Sequence, residues 1–355
     1  MGTLTGVLLA VTGSATAHVD YVTDESEFTS VAELLAGAFG SLLNLALIGT
    51  GTVAVFAAVA AYLRFGSAIR DIEVIRRTLD SYRPYLPWML RLSVGLPLVG
   101  AGFGRYLFSP SVPAEGRLLQ VLLGFFLLFG LGTRLVAAVG LATYLLTLLG
   151  NGTPVLLASE YVAGFLAIIV VGPGQPSADM LLRRLVVTEG TIANRLRGDR
   201  LPKELLANVG IGQAAAPVVI RVFLGLNFLY LGIGQKLLQP GSALAVVTTY
   251  DLTAVVPVSP ELWVVGAGVT EAVIGLAFIA GIFTRATATV SFLMLTVTLF
   301  GLPNDPVLAH VTLFGLSSAL MVTGAGRLSL DARHIPALHR RLDLNEGATE
   351  EMSAD

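Results

Sequence analysis

Residues 38–63 run for 26 positions without an Asp, Glu, Lys or Arg. A helix of about 20 apolar residues already crosses the ~30 Å hydrocarbon core of a bilayer. Inside that core only helices and closed barrels satisfy their own backbone groups. Uncharged stretches of this kind recur, leaving the chain 54% hydrophobic, 13% charged and with a mean hydropathy of +0.78. A soluble core built from 355 residues cannot hide that much apolar surface. The fold class is therefore all-α, a polytopic membrane protein.

Hydropathy places further spans near residues 86–108, 118–132, 135–149 and 154–172, then near 216–238, 262–283, 286–302 and 307–323. Thr133-Arg134 and Thr284-Arg285 make the tight turn between the second and third span of each group. Charge tests this topology independently, because Lys and Arg concentrate in cytoplasmic segments. With the linker after the first span, the connector between groups, both Thr-Arg turns and the tail inside, 17 of the 22 basic residues fall on that side. Arg117 falls in an outer loop, and Arg91, Arg105, Arg221 and Lys236 lie within spans. The expectation is nine spans in the cell membrane with a cytoplasmic C-terminus. Residues 1–17 end in Ala15-Thr16-Ala17, the A-x-A form of a signal-peptidase site, and read as a signal peptide or a short leader helix.

The two groups of four spans read as two versions of one unit. Residues 91–110 (RLSVGLPLVGAGFGRYLFSP) and 221–240 (RVFLGLNFLYLGIGQKLLQP) agree at seven of 20 positions, where composition alone gives roughly two. The expected organisation is a leader over 1–17 and an acidic outer segment, first span and basic linker over 18–85. The first repeat covers 86–180, a connector 181–214, the second repeat 215–331 and a tail 332–355. Four spans per unit send both copies into the membrane in the same direction, so their symmetry axis runs along the bilayer normal. That predicts two tandem four-helix bundles.

The second group combines Arg221, a glycine-rich first helix ending Gln235-Lys236-Leu237, then Glu271 followed by Gly275, Gly281 and Thr284-Arg285, and finally GAGRLSLD from Gly324 to Asp331. In order and spacing this set resembles the DoxX/DoxD-like family of four-span membrane proteins. Residues 217–331 carry the resemblance, and 86–179 carry it more weakly. It implies an integral membrane subunit of a quinone-linked redox system, an oxidoreductase subunit acting with a partner if the protein is an enzyme. Quinone is then the implied ligand, a redox protein the implied partner beside the lipid bilayer, and neither a covalent cofactor nor nucleic acid is expected. Carried over by position, Arg221, Lys236, Glu271, Arg285 and Asp331 are the family-like polar residues. In the first group Arg91 and Arg134 persist, Tyr106 replaces Lys236, and Gln120 stands one position off the place of Glu271.

An ionisable side chain inside a span costs about 2.5–3.5 kcal/mol on insertion scales, so each needs a partner or a task. Lys236 and Glu271 fall at similar depth near the outer side and are expected to pair, either to fix helix register or to hold a substrate or proton. His310 is the one histidine within a span. It reads as a donor to a quinone carbonyl, as a proton relay, or as a satisfied interfacial histidine. Lys236, Glu271, His310 and Arg221 form the candidate substrate-binding set, with no residue singled out as catalytic. Glu160 and Arg105 are expected to pair in the outer half of the first bundle, and Arg91 and Arg221 to snorkel toward lipid phosphate. One intramembrane histidine excludes bis-histidine haem ligation, and the absence of cysteine excludes disulfides and thiolate metal sites. Two other functions fit the same pattern: a non-catalytic scaffold for peripheral redox proteins, and a small-molecule transporter, the latter weakened by the lack of visibly broken helices.

Overall fold

The computed structural model describes residues 29–65, 69–114, 117–197, 213–302 and 306–333. The leader, most of the acidic segment, part of the connector and the tail beyond 333 lie outside the described residues. A first helix, α1 (Val31–Phe39), starts from a capping box in which Ser30 and Glu33 satisfy each other's backbone amides. The long apolar α2 (Leu42–Phe65) follows, then the amphipathic α3 (Arg70–Ser81). The first half holds α4 (Leu86–Gly104), a hairpin of β1 (Tyr106–Leu107) and β2 (Ser109–Pro113), α5 (Leu118–Phe129), α6 (Thr133–Asn151), α7 (Thr153–Leu156) and α8 (Glu160–Val171). Two short helices, α9 (Ala178–Val187) and α10 (Ile192–Arg197), open the connector. In the second half α11 (Ala216–Leu229) continues as a π-helix over Tyr230–Leu237, followed by α12 (Pro240–Thr249), α13 (Leu252–Val255), α14 (Pro260–Ala280), α15 (Thr284–Gly301), α16 (Val307–Thr323) and α17 (Leu330–Arg333).

Six of these helical stretches are long and apolar enough to cross a membrane, and α5, α8 and α16 are shorter apolar helices. The chain is thus a multi-pass membrane protein, helical apart from the one hairpin. α2 stands away from the rest with only 6% of its apolar window buried. It is apolar all round, as a helix surrounded by lipid must be. Its one buried side chain is Asn44, whose amide reaches Gly37 O and Ser259 Oγ. α1 packs Leu34 and Ala38 against Leu262 and Val265 of α14 and so ties this N-terminal portion to the second half.

The two four-helix groups share one core. Leu90, Val94 and Leu98 of α4, Ala163 and Ala167 of α8, Leu224 and Phe228 of α11, and Leu316, Ala319 and Leu320 of α16 belong to a single buried cluster. α4 lies along α16, and α11 lies along α8. Small residues make these crossings possible: Gly315 of α16 sits against Ser93, whose carbonyl accepts a hydrogen bond from Thr312 Oγ1 at 2.9 Å. In lipid, where apolar side chains gain little by leaving the solvent, such close packing and buried hydrogen bonds hold helices together.

Within each half the first two helices also cross at glycine. Gly95 meets Gly124 backbone in one half, and Gly225 meets Gly275 backbone in the other. A Cβ at Gly225 would stand 2.6 Å from Gly275 O, and backbone cannot step aside as a side chain can. Gly225→Ala is therefore expected to lower unfolding free energy in mixed detergent–SDS micelles by about 1–3 kcal/mol. Gly49→Ala on lipid-facing α2, where nothing lies within 4 Å, serves as control and should cost nothing. Equal stability of the two variants would refute the close crossing.

Candidate functional site

The polar residues fall into clusters at the two ends of the helices. At the end where α4 and α11 begin, the tight turn between α14 and α15 is held from both sides. Arg221 donates to Phe278 O at 3.2 Å and to Ile279 O, the last carbonyls of α14, and also to Leu328 O. Asp331 accepts from the amides of Phe283 (2.6 Å) and Thr284 (2.8 Å) at the start of α15. A cation meets the negative end of one helix dipole and an anion the positive end of the next. The corresponding turn of the first half is held alike: Arg91 donates to Pro176 O, and Asp179 accepts from the amides of Gly132 (2.6 Å) and Thr133 (2.9 Å). Gly130 and Gly281, at φ +68 and +67, lie directly against the Arg91 and Arg221 guanidiniums. Their left-handed backbone and missing side chain are both needed there.

This arrangement corrects the expectation that Arg91 and Arg221 snorkel to lipid, since they are 1% and 3% exposed. Unpaired carbonyls at a buried helix end draw a guanidinium inward more strongly than distant phosphates do. Outside the spans, Asp80 of α3 contacts Arg285 at 2.6 Å and Arg83 at 2.9 Å. Burial works against its charge, but Arg285 and then Arg83 outweigh it and hold the carboxyl below the usual carboxylate range.

At the opposite end, roughly 22 Å along the helix from Arg221, Lys236 closes on Glu271. Its Nζ lies 2.8 and 2.6 Å from the two carboxylate oxygens, with side-chain exposures of 26% and 12%. Lys236 rides on the π-helical end of α11, a widened turn that recurs at functional sites. Gly232 permits the approach, its missing Cβ facing Gly268 O, Ala272 N and Glu271 Cβ. In the first half the chain leaves the helix at Arg105, with φ 60, and turns into the hairpin. Here Gln120 Nε2 donates to Tyr106 O at 2.9 Å. The matching crossings of Gly95 on Gly124 and Gly225 on Gly275 fix the register, and in it Gln120 is the direct counterpart of Glu271, not one position away. One half carries an ion pair of two side chains where the other carries a glutamine on a main-chain carbonyl.

His310, buried on α16, joins a third cluster between the halves. With Glu160 at the start of α8 it lines a cavity of about 20 Å³, room for one water molecule. Asn227, fully buried on α11, donates to Ser159 Oγ at 2.9 Å and Glu160 Oε2 at 3.2 Å. Lys236 lies within electrostatic range of His310. Lys236, Glu271 and His310 are thus at the same end, and Arg221 is at the other. The expected Glu160–Arg105 pair does not form: Arg105 is exposed at the left-handed residue ending α4, and an asparagine serves Glu160 instead. Asn227 escaped sequence reading because an asparagine in an apolar run has no spacing signature. The expectation of unbroken helices also fails, since α11 widens, α4 gives way to the hairpin, and Leu157–Ser159 separates α7 from α8. No group of three or more His, Asp or Glu able to hold a metal occurs among the described residues.

The helix carrying Lys236 and the helix carrying Glu271 also fall in the part of the chain that a family model matches. Residues 216–304 match the family model of DoxX. This DoxX-like segment runs from the start of α11 past the end of α15, about a quarter of the chain. It includes Arg221, Lys236, Glu271 and Arg285 and stops short of His310 and Asp331. No curated protein and no solved structure matches the chain.

Proposed function

We propose that this DoxX-like membrane protein is a subunit of a quinone-linked redox system and that Lys236 and Glu271 meet the quinone head group. One observation carries the reading: the fold offers the same helix crossing twice and puts charge in only one of them. In the first half Gln120 bonds the main-chain carbonyl of Tyr106, and that crossing closes without an ion pair. The cavity beside His310 and Glu160 has room for one water. The head group therefore approaches from the bilayer face, where Lys236 is partly exposed. There Lys236 donates to a carbonyl oxygen, Glu271 holds a proton, and His310 extends the polar path toward Glu160. Electrons come from a partner protein. In this reading the two halves are copies of one unit, and the arginine-rich end faces the cytoplasm, as the distribution of basic residues along the sequence favours.

A scaffold without chemistry is the second reading, favoured by the closed Lys236–Glu271 pair and the small cavity. Quinone content of the gently extracted protein separates the two. Wild type is expected to retain quinone, and Glu271→Gln and His310→Ala each to lose at least about tenfold, the equivalent of one charge-assisted hydrogen bond. Equal content in all three, or none in any while a soluble protein co-purifies, would replace the quinone reading with the scaffold.

A further inference from the structure

A ligand-sized cavity lies at the opposite end from Lys236. Between α3, the end of α2 and the turns of the second half lies a cleft of about 600 Å³. That is within the range of small-molecule sites and far larger than the cavity at His310. Its rim carries Arg76, Arg83 and Arg285, and Tyr62 and Phe283, whose rings meet edge to face at 5.2 Å, form an apolar wall. The carboxylates that border it are engaged: Glu73 by Arg77, Asp80 by Arg285 and Arg83, and Asp331 by the amides of Phe283 and Thr284.

Two buried polar atoms at the cleft have no hydrogen-bond partner among the described residues, Thr284 Oγ1 and Arg285 Nε. Thr284 is 1% exposed. Its counterpart Thr133 donates its hydroxyl to Asp179 at 2.8 Å, so the fold is able to satisfy this hydroxyl and in the second half does not. Buried polar atoms are nearly always paired, and an exception in a ligand-sized cleft points to a missing acceptor. Gly324 lies beside Arg285 Nε, as Gly172 lies beside Arg134 in the first half.

We propose that this cleft binds the phosphate of an anionic phospholipid. Arg76 and Arg285 donate to the phosphate oxygens, Thr284 adds its hydroxyl, and the acyl chains leave along Tyr62 and Phe283. A lipid fits better than a soluble anion because both walls are ends of membrane-crossing helices, α2 and α15, and α3 is amphipathic. Basic pockets at such a boundary are the usual place of headgroup recognition.

The test is phospholipid retained per protein after extraction, measured by mass spectrometry for wild type, Arg76→Gln, Thr284→Val and Arg77→Gln, followed by titration with phosphatidylglycerol, phosphatidylcholine and inorganic phosphate. Arg76→Gln lies on an exposed helix face and leaves folding intact. It should lower phosphatidylglycerol binding about fivefold, the effect of one arginine near a membrane surface. Thr284→Val should also lower it while leaving the thermal midpoint of lipid-free protein unchanged or raised, because it removes an orphaned hydroxyl. Arg77→Gln removes a cation outside the cleft and releases Glu73 at its border, and should lower binding less than Arg76→Gln does. Equal retention by all four proteins, or a loss as large in Arg77→Gln as in Arg76→Gln, overturns the site. Protection by inorganic phosphate equal to that by phosphatidylglycerol overturns the lipid in favour of a soluble anion. None of these outcomes depends on quinone at Lys236.

Discussion

Arg221→Met should lower the unfolding free energy in mixed detergent–SDS micelles by about 3–5 kcal/mol, the range for breaking a buried charged contact. The arginine supplies donors to Phe278 O, Ile279 O and Leu328 O, and methionine supplies none. Phe278 O and Ile279 O lie in the last turn of α14 beside a guanidinium that is 3% exposed, and each hydrogen bond to a charged group contributes about 1.5–3 kcal/mol. The effect extends to Asp331, within electrostatic range of Arg221 and left without that cation. Arg91→Met is expected to cost less. Arg91 donates to Pro176 O, while its Nε and Nη1 have no hydrogen-bond partner among the described residues. Neither variant should change quinone per folded molecule, because both arginines lie at the far end from Lys236. A loss under ~1 kcal/mol for Arg221→Met would mean that the turn holds itself. Quinone loss in that variant would return Arg221 to the ligand site.

What was legible in the sequence follows from how each kind of information is written. Membrane class shows in the recurrence of uncharged runs, because a bilayer demands apolar spans of about 20 residues; the expected nine spans contrast with six helices of spanning length and three shorter apolar ones among the described residues. The Lys236–Glu271 contact was legible for a related reason: two opposite charges in otherwise apolar helices must meet. Arg221 illustrates the limit. Its position near a helix end suggested lipid phosphate, but its acceptors are backbone carbonyls, which every residue carries and no sequence pattern marks. Asp179 and Asp331 were visible as residues, yet their task depends on the chain returning 46 and 47 residues after the turns they cap. The packing of α4 on α16 and α11 on α8 was likewise hidden. Small residues line several faces of these helices, and tandem copies make pairing within a unit and between units look alike.

The largest separation between structure and function is expected from replacing Lys236 and Glu271 by the uncharged residues that stand at the corresponding positions of the first half. Lys236→Tyr alone leaves Glu271 without its cation, and Glu271→Gln alone leaves Lys236 without its anion. Each should cost about 2.5–3.5 kcal/mol at full charge, moderated where the remaining group takes up or gives up a proton. The double variant Lys236→Tyr/Glu271→Gln removes both charges together and reproduces the residue types found at Tyr106 and Gln120. Its stability should return to within about 1 kcal/mol of wild type, as replacing a buried ion pair by neutral groups often does. Quinone retention should not return, since the donor and the proton acceptor are both gone. Stability and ligand content measured on one preparation therefore part company only if the charges serve the ligand. Recovery of both in the double variant would show that neither charge is needed for binding and would place the quinone contact elsewhere. Failure to recover stability would show that the π-helical end of α11 depends on the ion pair, as the hairpin end of α4 does not, and the charge difference between the halves would then be a matter of architecture.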